Sequence, residues 1–218
     1  MYKALFCMLV VAFSSLVNAN QLQGYGAFTD LNKDWMLVAL YGQNAMKDSA
    51  ADLQLSSSHS SDVAILPTRL EIKIATEKFT QRRFRALWLE AMVVEHGTEG
   101  MQQLNEPLES FFSTLKGPLI RGDMLVLELE NGKTQVSLNY QTLTRLPASF
   151  LHKLVASMVG KHPPSKALRE GLTGGSSARE QGDLAIRFER LEPTLPRIAQ
   201  VSRWKPRHVK RLASQEAL

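Results

Sequence analysis

Cysteine is nearly missing from this chain. Its single cysteine, Cys7, stands among the first twenty residues, so nothing after it can form a disulfide or use a thiol nucleophile. Metal signatures are missing as well. The five histidines, at 59, 96, 152, 162 and 208, keep no ligand spacing, and there is no HExxH, cysteine cluster or Asp/Asn-rich calcium loop. No GxSxG elbow occurs, and Gly24-Tyr25-Gly26 is too short for a dinucleotide fingerprint. Beyond residue 20 no apolar run approaches the roughly 20 residues of a membrane helix. The sequence therefore supports no metal, covalent or nucleotide-cofactor chemistry, and no cofactor is expected.

What is present begins with an export signal. Lys3 supplies a positive charge, residues 4–17 are apolar, and Val17-Asn18-Ala19 is a small-residue cleavage site. Residues 1–19 read as a signal peptide that delivers a periplasmic protein starting at Asn20; the other reading of the same residues is an uncleaved anchor. Cys7 stands too early to be a lipoprotein cysteine. The net charge of +5 is unevenly placed. Residues 20–175 carry 16 Lys/Arg against 16 Asp/Glu, whereas residues 176–218 carry 9 against 5. The pattern divides the mature chain into a neutral domain, 20–175, and a basic C-terminal extension, 176–218. A neutral domain argues against nucleic acid as a partner. The run Arg203-Trp204-Lys205-Pro206-Arg207-His208-Val209-Lys210-Arg211 suits an anionic membrane surface or an acidic partner, or else a solvated terminus.

Periodicity supplies the elements. In residues 147–172, Phe150, Leu151, Leu154, Val155 and Met158 recur at helical spacing behind Pro147. Gly160 is expected to close that helix in a left-handed turn, and Ser165 to cap a shorter one ending before Gly174-Gly175. Residues 35–41 form an apolar run, as in a strand covered on both faces, while Leu70, Ile72 and Ile74 alternate with Glu71 and Lys73. Asn131-Gly132 joins two strands as a type I′ hairpin. Residues 43–64, rich in Ser, Asp and Ala, read as a long connection. One helix is expected from a Thr76 cap to about Glu95 before Gly97, and a second over 99–115 with Pro107 kinking it. Residues 183–191 read as a further strand or an extended arm. The fold class is α+β, an antiparallel sheet with a layer of helices.

Taken in order, Gly24-Tyr25-Gly26, the strand ending Ala39-Leu40-Tyr41, residues 69–74, the helix 79–96, Arg121-Gly122-Asp123-Met124-Leu125-Val126 and the segment F...LV..M.G..PPS..LR.GL resemble the chalcone isomerase-like domains, in particular their bacterial secreted branch. The likeness covers residues 22–174. It implies an open-faced β-sandwich with a ligand cleft between sheet and helices. Catalytic members of that family use an Arg near the first Gly-rich segment, a strand Thr, a helical Tyr and Asn seven residues apart, and a late Thr-Met. Here the Arg position falls near Gly24-Tyr25, where there is none; the others fall on Met36, Phe79, Ala86 and Ser157-Met158. Only the last pair keeps the pattern. Oxyanion stabilisation then has no source.

On an ideal helix Phe79, Arg83, Ala86 and Glu90 share a stripe. Arg83 can thus supply a relocated cation for a carboxylate, as fatty-acid-binding members of the family do with an arginine elsewhere; the alternative is a solvated Arg82-Arg83-Arg85 cluster. Phe84, Leu87, Trp88 and Ala91 form a separate arc, read as core. The leading expectation is an exported, non-catalytic protein binding a fatty acid or similar apolar anion through Arg83, Phe79, Met36, Ala86, Ser157 and Met158. An isomerase or lyase on another substrate, and an envelope interaction module using the basic tail, stay open beside it.

Overall fold

The computed structural model describes residues 21–44 and 65–205. The expected signal peptide, nearly all of the Ser-rich connection and the end of the basic run lie outside them. In chain order the elements are β1 (Gln21–Asp30), β2 (Lys33–Asn44), β3 (Ile65–Ile74), β4 (Lys78–Phe79) and α1 (Gln81–Thr114). There follow β5 (Leu119–Ile120), β6 (Met124–Glu130), β7 (Lys133–Leu138) and β8 (Gln141–Pro147). The chain then continues through α2 (Ala148–Val159), α3 (Lys166–Leu172), α4 (Ala178–Glu189) and α5 (Leu195–Ser202). Six strands make one antiparallel sheet in the order β1-β2-β3-β6-β7-β8, and β4 pairs with β5 apart from it. The α+β class is as expected.

The helix α1 starts later than its sequence suggests. Its cap is Thr80, whose hydroxyl accepts from the Arg83 N–H at 3.3 Å; Thr76 is buried instead. Phe79 therefore stands in β4, and the stripe shared with Arg83 and Ala86 loses its first member. At Gly97 the backbone leaves helical geometry (φ 62°, ψ −174°). The two halves fold back on each other, with Arg85 paired to Glu109 and the Phe84 and Phe111 rings 6.4 Å apart. The expected helix pair is present, and Pro107 lies inside its second half.

Alternation decides which face of the sheet is covered by what. Met36, Val38, Leu70, Ile72, Leu127 and Val136 point to one face, where α1, α2 and α3 bring Trp88, Phe111, Leu154 and Leu168 onto them. On the opposite face α4 lays Phe188 against Leu37 and Ala39, with Leu191 beside it. Strand β2 is apolar on both sides because both sides are packed. α3 crosses β1 with backbone on backbone: a Cβ at Gly24 would collide with the Gly171 carbonyl, and one at Gly26 would stand 2.6 Å from that of Leu168. Gln181 locks the crossing, accepting from the Tyr25 N–H (2.8 Å) and donating to the Tyr25 (3.0 Å) and Gly171 (2.9 Å) carbonyls.

Two expectations are corrected here. Gly160 closes α2 at φ −69°, so it makes no left-handed turn; it is small because Glu95 packs against it. Residues 183–191 are helical rather than a strand or arm, in a helix started by a Ser177–Glu180 capping box. Within the basic C-terminal extension, α4 packs on β1 and β2 and α5 on β8. Among the described residues no helix is long and apolar enough to cross a membrane.

Candidate functional site

A line of rings runs from the surface to the centre of the core. At its outer end the Arg83 guanidinium carbon lies 3.6 Å from the Trp35 ring centroid, and Nη2 meets Asp30 Oδ2 at 2.7 Å. Asp30 and Trp35 flank the Leu31-Asn32 turn between β1 and β2, and the Thr80 cap sets the first turn of α1 over it. Both ion-pair partners are about half exposed (48% and 43%), so solvent screens the pair and it contributes little. Beneath Arg83, Trp35 meets Phe79 at 5.1 Å and Phe79 meets Phe84 at 5.4 Å, both edge to face. From Phe84 contacts continue to Trp88 (6.0 Å) and through Phe111 to Phe150 (5.5 Å).

The six expected site residues do not converge. Met36, Phe79 and Met158 are fully buried in the main core. Ser157 is buried too, with its hydroxyl donated to the Leu154 carbonyl at 2.7 Å, where it is unavailable to a ligand. Arg83 and Ala86 face solvent. What links Arg83 to Phe79 is Trp35, which sequence reasoning did not single out; its signal was a Trp opening the apolar run 35–41. Asp30 was missed because nothing local pairs it with a residue 53 positions away.

The groups with perturbed acidity lie elsewhere. On the outer sheet face burial pushes the Tyr41 phenol up to about 12, with Glu71 adding to the effect. Tyr25 is raised by burial and by Glu189. Burial lowers His152, partly offset by a hydrogen bond to the Pro67 carbonyl. None of these stands in the ring line. A surface depression of about 180 Å³ is lined by Gln81, Arg82, Arg85, Phe112 and Leu115. Among the described residues no group of three or more His, Cys, Asp or Glu could hold a metal ion.

No known protein family and no curated protein matches the sequence. Among solved structures the chain resembles the crystal structure of a fatty-acid binding protein from Arabidopsis thaliana. The TM-score is 0.52 at 17% identity, over 78% of this chain and 91% of that one. At that identity the likeness shows the fold. The protein has a chalcone isomerase-like fold, an open antiparallel sheet of six strands with its helices.

Proposed function

We propose that this is an exported, non-catalytic member of the chalcone isomerase-like proteins, of the secreted bacterial kind, that binds a fatty acid or similar apolar anion. One observation carries the reading: a surface cation, Arg83, stands directly over an unbroken line of apolar rings that leads between the sheet and α1. A carboxylate can replace Asp30 on the guanidinium at small cost, because the existing pair is screened. The tail then follows Trp35 and Phe79 inward. The interior is closed by large side chains, so the tail must displace them, and α1, already broken at Gly97, is the part able to lift. The resemblance to a fatty-acid binding protein supports the same reading. Met36, Phe79 and Ala86 at the family's polar catalytic positions support the absence of isomerase or lyase chemistry.

Small molecules released from the natively purified protein, identified by mass spectrometry, should include a long-chain carboxylic acid. Fatty-acid titration of Arg83→Met should then show about fivefold weaker binding, the loss expected for a half-exposed charge pair. Arg85→Met, whose partner is Glu109, should bind as the parent does. Equal effects from the two substitutions, or none from Arg83→Met, would remove Arg83 from the site. The closed interior also favours a second reading, an envelope interaction module. A chain that releases no ligand and takes up no fatty acid would overturn the first reading and leave the second.

A further inference from the structure

Positive charge collects at the end of the molecule where α1 begins. Arg82 and Lys116 are exposed there, and neither has an ion-pair partner among the described residues. Arg82 and Arg85 border the depression of about 180 Å³, whose floor is Phe112 and Leu115. The Trp204 ring reaches the same loop, since a Cβ on Gly117 would stand 3.3 Å from it. Arg197 anchors it from behind, 5.2 Å from the ring and donating to the Pro118 carbonyl at 2.8 Å. Arg203 and Lys205 flank Trp204 in the sequence, and they too lack ion-pair partners among the described residues. The sequence continues with Arg207, Lys210 and Arg211.

We propose that this end docks onto an anionic phospholipid bilayer. Arg82 and Arg85 border a shallow depression that Phe112 and Leu115 also line, which suits one phosphate-bearing headgroup. A flat anionic surface can meet Arg82, Lys116, Arg203 and Lys205 together, each adding a weak, salt-screened attraction. Nucleic acid fits less well, because single strands need a groove with free aromatic faces. The rings available are already covered, Phe112 by Arg85 and Trp204 by Arg197 and Gly117. This inference does not depend on the interior binding a fatty acid.

The test is sedimentation of the full chain with vesicles of phosphatidylcholine alone, or with about one-third phosphatidylglycerol added. Binding should require phosphatidylglycerol and disappear near 1 M salt, where the screening length is about 3 Å. Arg82→Glu with Lys116→Glu should weaken it by about tenfold or more. Lys133→Glu with Arg145→Glu makes the same change of net charge at exposed positions on β7 and β8 and should have a much smaller effect. All four residues are exposed, so the thermal melt should not move. Equal binding to neutral vesicles would assign the contact to the apolar residues 4–17 and overturn the proposal. So would equal effects of the two double variants, or tighter binding to a DNA oligonucleotide than to the vesicles. Loss of binding only on deleting residues 206–218, with no response to Arg82→Glu and Lys116→Glu, would overturn it as well.

Discussion

Trp88 is the largest fully buried side chain of the core, and its indole N–H has no partner. An unpaired buried donor forfeits about 1–3 kcal/mol, while trimming the indole to a phenyl ring opens a small cavity of comparable cost. Trp88→Phe should therefore leave stability within about 1 kcal/mol of the parent in urea unfolding, whereas Trp88→Ala should lose about 3–5 kcal/mol. A large loss in the Phe variant would mean that the N–H is satisfied after all. His152 gives a pH signature. Its folded pKa lies below the ordinary 6.5, so the unfolded chain binds the proton more readily. The stability this contributes is complete above pH 6.5 and is lost as the pH falls below it, through the lowered folded value. His152→Gln should flatten the Tm profile below that pH; an unchanged slope would place the acid sensitivity in the carboxylates.

At the scale of elements, β1 and α3 meet backbone to backbone. A Cβ on Gly171 would collide with the Tyr25 carbonyl and stand 2.8 Å from the Gly26 Cα, and backbone cannot move aside as a side-chain tip can. Gly171→Ala should destabilise by about 1–3 kcal/mol or more. Gly182→Ala in α4, where nothing lies within 4 Å, should gain about 0.5–1 kcal/mol from helix propensity. The opposite order in thermal melts would contradict the packing. These glycines show what was legible. Gly24-Tyr25-Gly26 and the Gly171-Leu172 ending were visible as resemblance, yet that they touch follows only from the sheet. The Asn131-Gly132 hairpin was readable from its residues, both with positive φ. Two further turns with positive φ, Leu31-Asn32 and Asn139-Tyr140, carry no glycine and gave no such signal, so β1 and β8 went unnoticed. In α4 the short apolar stretch Leu184–Phe188 hid its period, although the Ser177–Glu180 cap was available to be seen. Arg83, which the sequence singled out, is exposed beside the buried arc of Phe84, Trp88 and Ala91. Its neighbours Asp30 and Trp35 were not singled out, because they arrive through strand register rather than through spacing along α1.

For the molecule as a whole, the C-terminal helices decide where the folding unit ends. The sequence drew a boundary at residue 175; beyond it α4, α5 and the segment between them contribute Phe188, Val201 and Leu191 to buried clusters. Arg197 of α5 also completes a buried network. Asp123, fully buried, accepts from Arg197 Nη2 (2.6 Å) and Nε (2.9 Å), from Asn139 Nδ2 (2.7 Å) and from the Ile120 N–H (2.9 Å). Asn139 in turn accepts from the Met124 N–H at 2.8 Å, so the β5–β6 and β7–β8 turns are tied to α5 through one carboxylate. Cutting the chain after residue 175 would expose the outer face of β2 and leave Asp123 buried without its cation. Three large apolar side chains contribute about 1.5–3 kcal/mol each, and an orphaned buried charge costs about 3–5 kcal/mol. Together that is roughly 8–14 kcal/mol, the size of the whole stability of a typical domain. A chain ending at residue 175 should therefore show no cooperative melt and bind a hydrophobic dye at 25 °C, while one ending at Lys205 should melt within a few degrees of the full chain. A sharp transition in the shorter chain would mean that the sheet and its helix layer stand alone, and that the boundary drawn from charge was the true one.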